Sequence, residues 1–193
     1  MRKTIIIFCV IMMLSGCAMY TLVEPQRQEI GDLYTVEPQI PWSESISDKT
    51  QIWTVDGPAL QELRFINGIE DSESPFVGLL EEEKSPKFKK GMTPLEIKDL
   101  VVDGLSVMGA LKITVKKVKP FQFGGHDGFR MELNYVTEQG LEKSGLVVGS
   151  VIKEKLYVIA YSGARAHYFA KHKDHVEKII GSIQMKGSKP REE

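Results

Sequence analysis

The chain has 193 residues, of which 25 are basic and 26 are acidic, so its net charge is only −1 at pH 7. This length is sufficient for one domain with a full hydrophobic core. The balanced charge excludes a protein that binds nucleic acid through a basic surface. Both cysteines lie within the first 17 residues, so the remainder of the chain has no thiol, disulfide or cysteine-based metal site.

The first 17 residues have the pattern of a secretory leader. Arg2 and Lys3 precede an apolar run over residues 5–14, which is too short to span a bilayer stably. The run ends in Leu14-Ser15-Gly16-Cys17, which resembles the lipobox of bacterial lipoproteins. The resemblance implies that residues 1–16 are a signal peptide and that Cys17 carries acyl chains such as palmitate, which anchor it in a membrane. The alternative is an ordinary signal peptide that contains a chance cysteine.

The residue after Cys17 bears on location. It is Ala18 rather than aspartate, which in lipoproteins of the enteric type favours the outer membrane, on the side facing the periplasm. We expect residues 17–30 to be the lipidated N terminus and a tether. Residues 20–26 are echoed by residues 34–39, and this echo is either a hairpin of two similar strands or a coincidence.

A single domain is predicted over residues 31–186, and it opens with an extended segment at Pro41-Trp42. Residues 51–55 and 60–66 then alternate in polarity around a turn signal, which predicts an antiparallel hairpin. Residues 70–91 contain an acidic run and then a basic run, which is typical of a solvated loop. Docking of a partner by its basic side chains is the less favoured alternative for Lys84, Lys87, Lys89 and Lys90.

The clearest predicted helix begins at Thr93-Pro94-Leu95-Glu96, a capping box with proline at the first helical position. It continues as an apolar stripe to a stop at Gly109. Four strand-like runs follow, at residues 113–118, 129–135, 146–152 and 156–161. A last helix begins near Ala166, and residues 187–193 form a polar tail.

This order of elements predicts an α+β fold, with an antiparallel sheet of about six strands packed by helices. Over about residues 35–185 the chain resembles the Mog1/PsbP-like αβα sandwich, and it is similar to bacterial lipoproteins with the same pattern. Four features support the resemblance: Pro41-Trp42, the capped helix at Thr93, the segment 124–130 and Tyr161-Ser162-Gly163. That fold has many roles and therefore implies no activity by itself.

Three groups of polar residues are candidates for a functional site. His126 and Asp127 lie among three glycines, which favours a turn over a general base. The histidines near the last helix lack an HExxH pattern, so we predict no metal there. The third group lies at a strand-to-helix junction, where an anion or small ligand could bind: Tyr161, Arg165, His167 and Tyr168.

The sequence contains no phosphate-binding loop and no set of a nucleophile and a base, so we predict no catalytic residues and no cofactor. The function predicted is a membrane-anchored periplasmic lipoprotein that acts as a non-enzymatic interaction or scaffold module of the cell envelope, with an envelope protein as its partner. The alternative is a small-ligand-binding or hydrolytic protein with a site between the sheet and the C-terminal helix. Six residues are candidates for a patch that binds a ligand or a partner: His126, Asp127, Tyr161, Arg165, His167 and Tyr168.

Overall fold

Two helices and eleven strands form the part of the chain that the computed structural model describes, residues 20–76 and 79–187. The leader, Cys17 and residues 188–193 of the tail lie outside the described residues. The strands are β1 (Thr21–Val23), β2 (Gln28–Ile30), β3 (Tyr34–Val36), β4 (Trp42–Ser47), β5 (Thr50–Thr54), β6 (Gln61–Ile69), β7 (Leu111–Phe123), β8 (His126–Val136), β9 (Glu142–Ile152), β10 (Lys155–Ala164) and β11 (Gln184–Met185). The helices are α1 (Pro94–Val107) and α2 (Tyr168–Gly181).

Eight of these strands form one antiparallel sheet in the order β1-β4-β5-β6-β10-β9-β8-β7. The chain crosses from β6 through α1 to the far edge at β7, and then returns strand by strand until β10 pairs with β6. Short connections between β7, β8, β9 and β10 make neighbouring strands antiparallel. A second sheet of three short strands has the order β11-β3-β2.

The two helices cover opposite faces of the large sheet, which confirms the predicted α+β sandwich. α1 begins at the predicted capping box, with Glu96 N–H donating to Thr93 Oγ1 (3.3 Å) and Thr93 N–H donating to the Glu96 carboxylate (2.7 Å). Its apolar stripe packs with Phe129, Met131 and Leu133 of β8. α2 packs on the other face with both tryptophans, so the alternating side chains of each strand are divided between two cores.

The prediction of about six strands was too low. Five strands lacked a clear sequence signal because each is short or polar: β1, β2, β3, β4 and β11. The sequence of β4, for example, is WSESIS, and only its tryptophan is buried. The two echoing segments do not form a hairpin, since β1 pairs with β4 and β3 pairs with β2 and β11. Strand pairing in the large sheet therefore begins at Thr21, within residues 17–30, which the sequence analysis assigned to the tether.

Residues 70–92 are attached to the domain at several points, although their charged side chains face solvent. Phe88 is fully buried, and its backbone bonds to Ser72 and Glu73. Each lysine considered for docking already has a polar partner, namely Glu81 for Lys84, Glu82 for Lys87, Ser72 for Lys89 and Glu154 for Lys90. In residues 20–76 and 79–187 no helix has the length and apolar character needed to cross a bilayer.

Candidate functional site

A cavity of about 300 Å³ lies between the large sheet and α1. α1 packs over β7 and β8, at one side of the sheet. The cavity lies next to these contacts, over the side chains that β6, β9 and β10 contribute to the same face. Pro75, Phe76 and Leu79 line the cavity from the loop between β6 and α1. The volume lies at the lower end of the range of about 300–1,000 Å³ that is usual for small-molecule sites.

Most of the cavity wall is apolar. The sheet contributes Ile66, Leu133, Val147, Leu156, Val158 and Ala160. The helix side contributes Leu100, Val101, Leu105 and Met108. Protein interiors are normally close-packed, so an apolar space of this size is better suited to a bound ligand than to the core of an empty protein.

One glycine fixes the position of the loop over the cavity. A Cβ atom placed on Gly104 would lie 2.1 Å from Cζ of Phe76, so the phenyl ring rests directly on the backbone of α1. The Phe76 N–H donates to Ser74 Oγ (3.1 Å), and Ser74 is hydrogen-bonded to Ser85. The loop thus places a buried aromatic ring against the helix only because position 104 has no side chain.

Polar side chains form one wall of the cavity. Glu62 and Arg64 are two residues apart on β6 and therefore lie on the same face. Arg64 donates from Nε to Glu62 Oε1 (3.0 Å) and from Nη2 to Glu62 Oε2 (2.9 Å). This bidentate pair uses both carboxylate oxygens of Glu62. Arg64 neutralises the charge of Glu62 and leaves the pair without net charge.

Tyr135 and Ser162 lie on the same wall. Burial raises the pKa of the Tyr135 phenol above its usual value, and the nearby Ser162 hydroxyl opposes this rise. The Ser162 hydroxyl is itself buried, and no hydrogen bond of ordinary geometry reaches it within the described chain. None of the four histidines lines the cavity, and the carboxylate opposite Ser162, that of Glu62, is already bonded to Arg64, so Ser162 lacks a free base that could make it a nucleophile.

Lys143 on β9 lies beside this polar wall and is only 8% exposed. It is opposite Tyr135 on β8 and Ala164 on β10, and it faces the same way as Gly145, two residues along its own strand. Lys143 is not among the residues that line the cavity, and its ammonium is not among the fully buried polar atoms that lack a partner in the described ranges. Burial is the main cause that lowers the pKa of Lys143, and the Arg64 cation lowers it further while Glu62 opposes both.

The cavity opens at the C-terminal end of α1, where its lining residues Met108, Glu138 and Gln139 are exposed. Gly109 has a φ of +86°, and a Cβ there would lie 2.6 Å from Glu138 Oε1, so the β8–β9 turn lies directly against the helix end. Four exposed apolar side chains, which we call the apolar rim, are found at this end of the sheet: Val107, Met108, Leu111 and Leu141.

The structure divides the six residues of the predicted ligand patch between two places. Tyr161, Arg165, His167 and Tyr168 lie together at the start of α2. His126 and Asp127 lie at the β7–β8 turn. By strand register the two places are at opposite ends of the sheet, roughly 25 Å apart. They therefore cannot form one small site between the sheet and the C-terminal helix. The cavity lies on the other face of the sheet, and of the six residues only Tyr161 is among those that line it.

Most of these six residues have structural partners. The Tyr161 hydroxyl is shared between the carbonyl oxygens of Tyr168 and Phe169 (both 3.0 Å), and burial raises the pKa of Tyr161 well above its usual value. Arg165 pairs with Glu142 (3.3 Å) at the surface. Asp127 accepts from Gln122 Nε2 (2.7 Å). These contacts fix the turn at each end of the sheet.

His172 is buried under α2. Its Nε2 lies 2.6 Å from Asp56 Oδ2, and Lys171 also bonds to Asp56 (2.7 Å). The Lys171 hydrogen bond is the main cause that lowers the pKa of Asp56. Across the described ranges, no three histidine, cysteine, aspartate or glutamate side chains are grouped to hold a metal ion.

Sequence reasoning missed the cavity and the residues that distinguish it. Glu62 and Arg64 were hidden in an alternating strand, where polar positions are normally assigned to solvent. Lys143 lies before the predicted strand at residues 146–152 and has no motif around it. The only available signal was Gly104, a residue that disfavours helix yet interrupts the interior of a capped helix.

No model of a known protein family matches this chain, and no curated protein matches its sequence. Among solved structures, the cyanobacterial PsbP protein CyanoP of Synechocystis sp. PCC 6803 matches with a TM-score of 0.55 and 12% identity, over 89% of this chain and 95% of that one. The Ran-binding protein Mog1p of Saccharomyces cerevisiae matches with a TM-score of 0.45 and 9% identity, over 87% and 96% of the two chains.

A third match is LpqN of Mycobacterium tuberculosis, described as involved in cell envelope biogenesis. Its TM-score is 0.39 at 10% identity, over 89% of this chain and 87% of that one. The match to CyanoP confirms the PsbP/Mog1-like fold. The other two are too distant to add to that conclusion, and at these identities the likeness concerns the fold alone.

Proposed function

We propose that this chain is a lipid-anchored protein of the bacterial cell envelope whose α+β domain is a non-enzymatic binding module. The cavity beneath α1 is the binding site, and its ligand is apolar over most of its surface. The observation that carries this proposal is the apolar cavity of about 300 Å³ beneath a loop and a helix end. Burial of apolar ligand surface there supplies the binding free energy.

The chemistry of the cavity wall supports binding rather than catalysis. The Glu62 carboxylate is held by two hydrogen bonds from Arg64, so it is a poor general base. Ser162 has no histidine beside it. A hydrolytic site requires a nucleophile, a base within hydrogen-bond reach and a group that orients the base. The described wall offers the first without the other two.

The proposed anchor is Cys17. β1 begins at Thr21, only four residues further along the chain, and four residues reach about 14 Å at most. A lipid on Cys17 would therefore hold this domain very close to the bilayer. By the nature of Ala18, we propose the periplasmic side of the outer membrane.

The binding proposal is tested with N-phenyl-1-naphthylamine, an uncharged apolar probe whose fluorescence rises in apolar sites. The sample is the mature chain, residues 17–193 with Cys17→Ala, which carries no lipid. We expect saturable binding that Ala160→Phe abolishes, because the new ring fills the cavity floor. Ala170→Phe, at an exposed position of α2, is the matched control and should bind normally. Absence of binding, or equal binding by A160F, would refute the proposal.

The anchor is tested by metabolic labelling with radioactive palmitate and by membrane fractionation. Wild-type protein should be labelled and should fractionate with the outer membrane. Cys17→Ala should lose the label and leave the membrane, or remain unprocessed. A labelled C17A protein would show that Cys17 is not the lipidated residue.

A second candidate function is docking of an envelope protein on the apolar rim. Its four side chains are exposed at one end of the domain, and exposed apolar groups at one place often mark an interaction surface. A photo-crosslinking residue at Leu111 should then capture a defined partner in whole cells. The same residue at Ile46, which is equally apolar and exposed on β4, should not. Equal capture at both positions would contradict docking on the rim.

A further inference from the structure

Two uncharged hydroxyl groups lie close together on the polar wall of the cavity. Ser162 of β10 and Tyr135 of β8 both line it. The Ser162 hydroxyl is fully buried, and no hydrogen bond of ordinary geometry reaches it within residues 20–76 and 79–187. It lies near enough to the Tyr135 phenol to influence the pKa of that group. Burial of a hydroxyl without a good hydrogen bond is unfavourable, so this pair is suited to bonding with a ligand atom.

Strand register explains how the two hydroxyls meet. Ser162 is opposite Gly145 of β9, and Gly145 is opposite Leu133 of β8. Tyr135 is two residues beyond Leu133 and faces the same way, which makes it a diagonal neighbour of Gly145. Because Gly145 has no side chain, no group at that position separates the phenol from the serine. The next residue of β9 on this face is the apolar Val147, which also lines the cavity, so the hydroxyls form a polar end to an apolar space.

The charged groups on the same wall are paired with each other. Glu62 is opposite Ser162 on the neighbouring strand, and both of its carboxylate oxygens accept hydrogen bonds from Arg64 (3.0 and 2.9 Å). A ligand with an anionic end would meet the Glu62 carboxylate, and one with a cationic end would meet the Arg64 guanidinium. Lys143 is not part of the cavity lining. Because burial of an unpaired charge is costly, this wall favours a ligand whose polar end has no charge.

We propose that the cavity binds an uncharged amphiphile whose polar end is a hydroxyl or carbonyl oxygen that accepts a hydrogen bond from the Ser162–Tyr135 hydroxyl pair. The apolar part of the ligand lies beneath α1, beside Leu105 and Val158. This inference rests on the proposed function, since it names the chemical class of the ligand for the same site. Burial of the apolar part supplies most of the affinity, and the hydroxyl pair selects the polar end.

The test is calorimetric titration of the unlipidated mature chain with three probes that share one phenylalkyl body. These are 4-phenylbutan-1-ol, pentylbenzene, in which a methyl group replaces the hydroxyl, and the anion 4-phenylbutanoate. Ser162→Ala or Tyr135→Phe, whichever removes the donor, should weaken the alcohol by about fivefold, because a neutral hydrogen bond is lost. The double variant should weaken it at least as much. Pentylbenzene should bind wild type and all three variants alike.

Two further variants isolate the hydroxyl pair and the ion pair. Ser144→Ala is the matched control, because Ser144 is also buried on the sheet but faces away from the cavity, where it donates to Asn134 (2.9 Å). It should leave the affinities for all three probes unchanged. Glu62→Gln leaves Arg64 without its carboxylate partner and the wall with a net positive charge. It should raise the affinity for 4-phenylbutanoate by about tenfold, because a charge-assisted hydrogen bond becomes available.

The failures of the two proposals can be told apart. If the double variant binds the alcohol as tightly as wild type does, or if wild type prefers 4-phenylbutanoate to the alcohol, the uncharged polar end is refuted. Unchanged binding of 4-phenylbutanoate by E62Q would likewise refute the selection against charge. The cavity then remains a binding site as long as pentylbenzene or N-phenyl-1-naphthylamine binds. If no probe binds, the binding module itself is refuted. Alcohol binding that A160F leaves intact would place the ligand outside the cavity and also overturn this inference.

Discussion

Replacing Gly104 by alanine should destabilise the protein, although alanine is the better helix former. In a helix interior, Gly→Ala contributes about 1 kcal/mol of stability. At this position the new Cβ would lie 2.1 Å from the Phe76 ring, and the ring must move by about 1.5 Å to reach an ordinary contact distance. Full burial of a phenylalanine side chain stabilises by about 1.5–3 kcal/mol, and Phe76 is nearly completely buried. We therefore expect G104A to lower the free energy of unfolding by about 0.5–2 kcal/mol.

The sign should reverse when the ring is absent. In a Phe76→Ala background nothing opposes the new methyl group, so G104A should stabilise by about 1 kcal/mol. The coupling between the two substitutions is then about 1.5–3 kcal/mol. Urea unfolding followed by the fluorescence of the buried residues Trp42 and Trp53 measures all four proteins. If G104A stabilises wild type and F76A by the same amount, the ring does not rest on the helix and the described roof of the cavity is incorrect.

Three other predictions concern the opposite face of the sheet. Tyr161→Phe should cost about 1 kcal/mol in thermal unfolding because it removes a buried hydroxyl bonded to the start of α2. Glu177→Gln should cost about 1 kcal/mol at neutral pH, because Arg130 donates two hydrogen bonds to that carboxylate. The hydrogen bonds from Arg130 hold the pKa of Glu177 below 4.5. The difference in unfolding free energy between wild type and E177Q should therefore shrink as the pH falls below 4.5 through that lowered pKa. If this difference stays constant in urea titrations down to about pH 3, the prediction is refuted. Asp56→Ala should cost about 1–3 kcal/mol by leaving Nε2 of buried His172 without its partner, and an unchanged unfolding midpoint would contradict the described pair.

The longer elements were predictable because they carry periodic or capping signals. The clean alternation of β8 and the capping box of α1 are local features, and both elements form where expected. The short strands were missed because pairs such as β1 with β4 are selected by partners some 20 residues away, and three residues show no period. Burial of His172 likewise depends on Asp56, 116 residues earlier in the chain.

The cavity was beyond sequence reasoning for a related physical reason. It depends on where α1 lies across the sheet, which is set by packing rather than by the apolar stripe of the helix. Its polar wall combines Glu62 and Arg64 of β6 with Tyr135 of β8, and these strands are separated by β10 and β9. The residues of the predicted patch at the start of α2 are close together along the chain. In the fold, however, the Tyr161 hydroxyl is bonded to the backbone of Tyr168 and stabilises the start of the helix.

The central claim is that the apolar space beneath α1 binds a ligand with a large apolar surface, and methyl NMR tests it most directly. Leu and Val methyl groups of the unlipidated mature chain are labelled and titrated with 4-phenylbutan-1-ol. Leu105, Val147 and Val158 line the cavity, whereas Val148 and Val176 lie in the core on the α2 side. The account predicts saturable shifts and contacts to the ligand chain at the first three residues and unchanged signals at the last two. Shifts confined to the α2 side, or none at saturating 4-phenylbutan-1-ol, would contradict it.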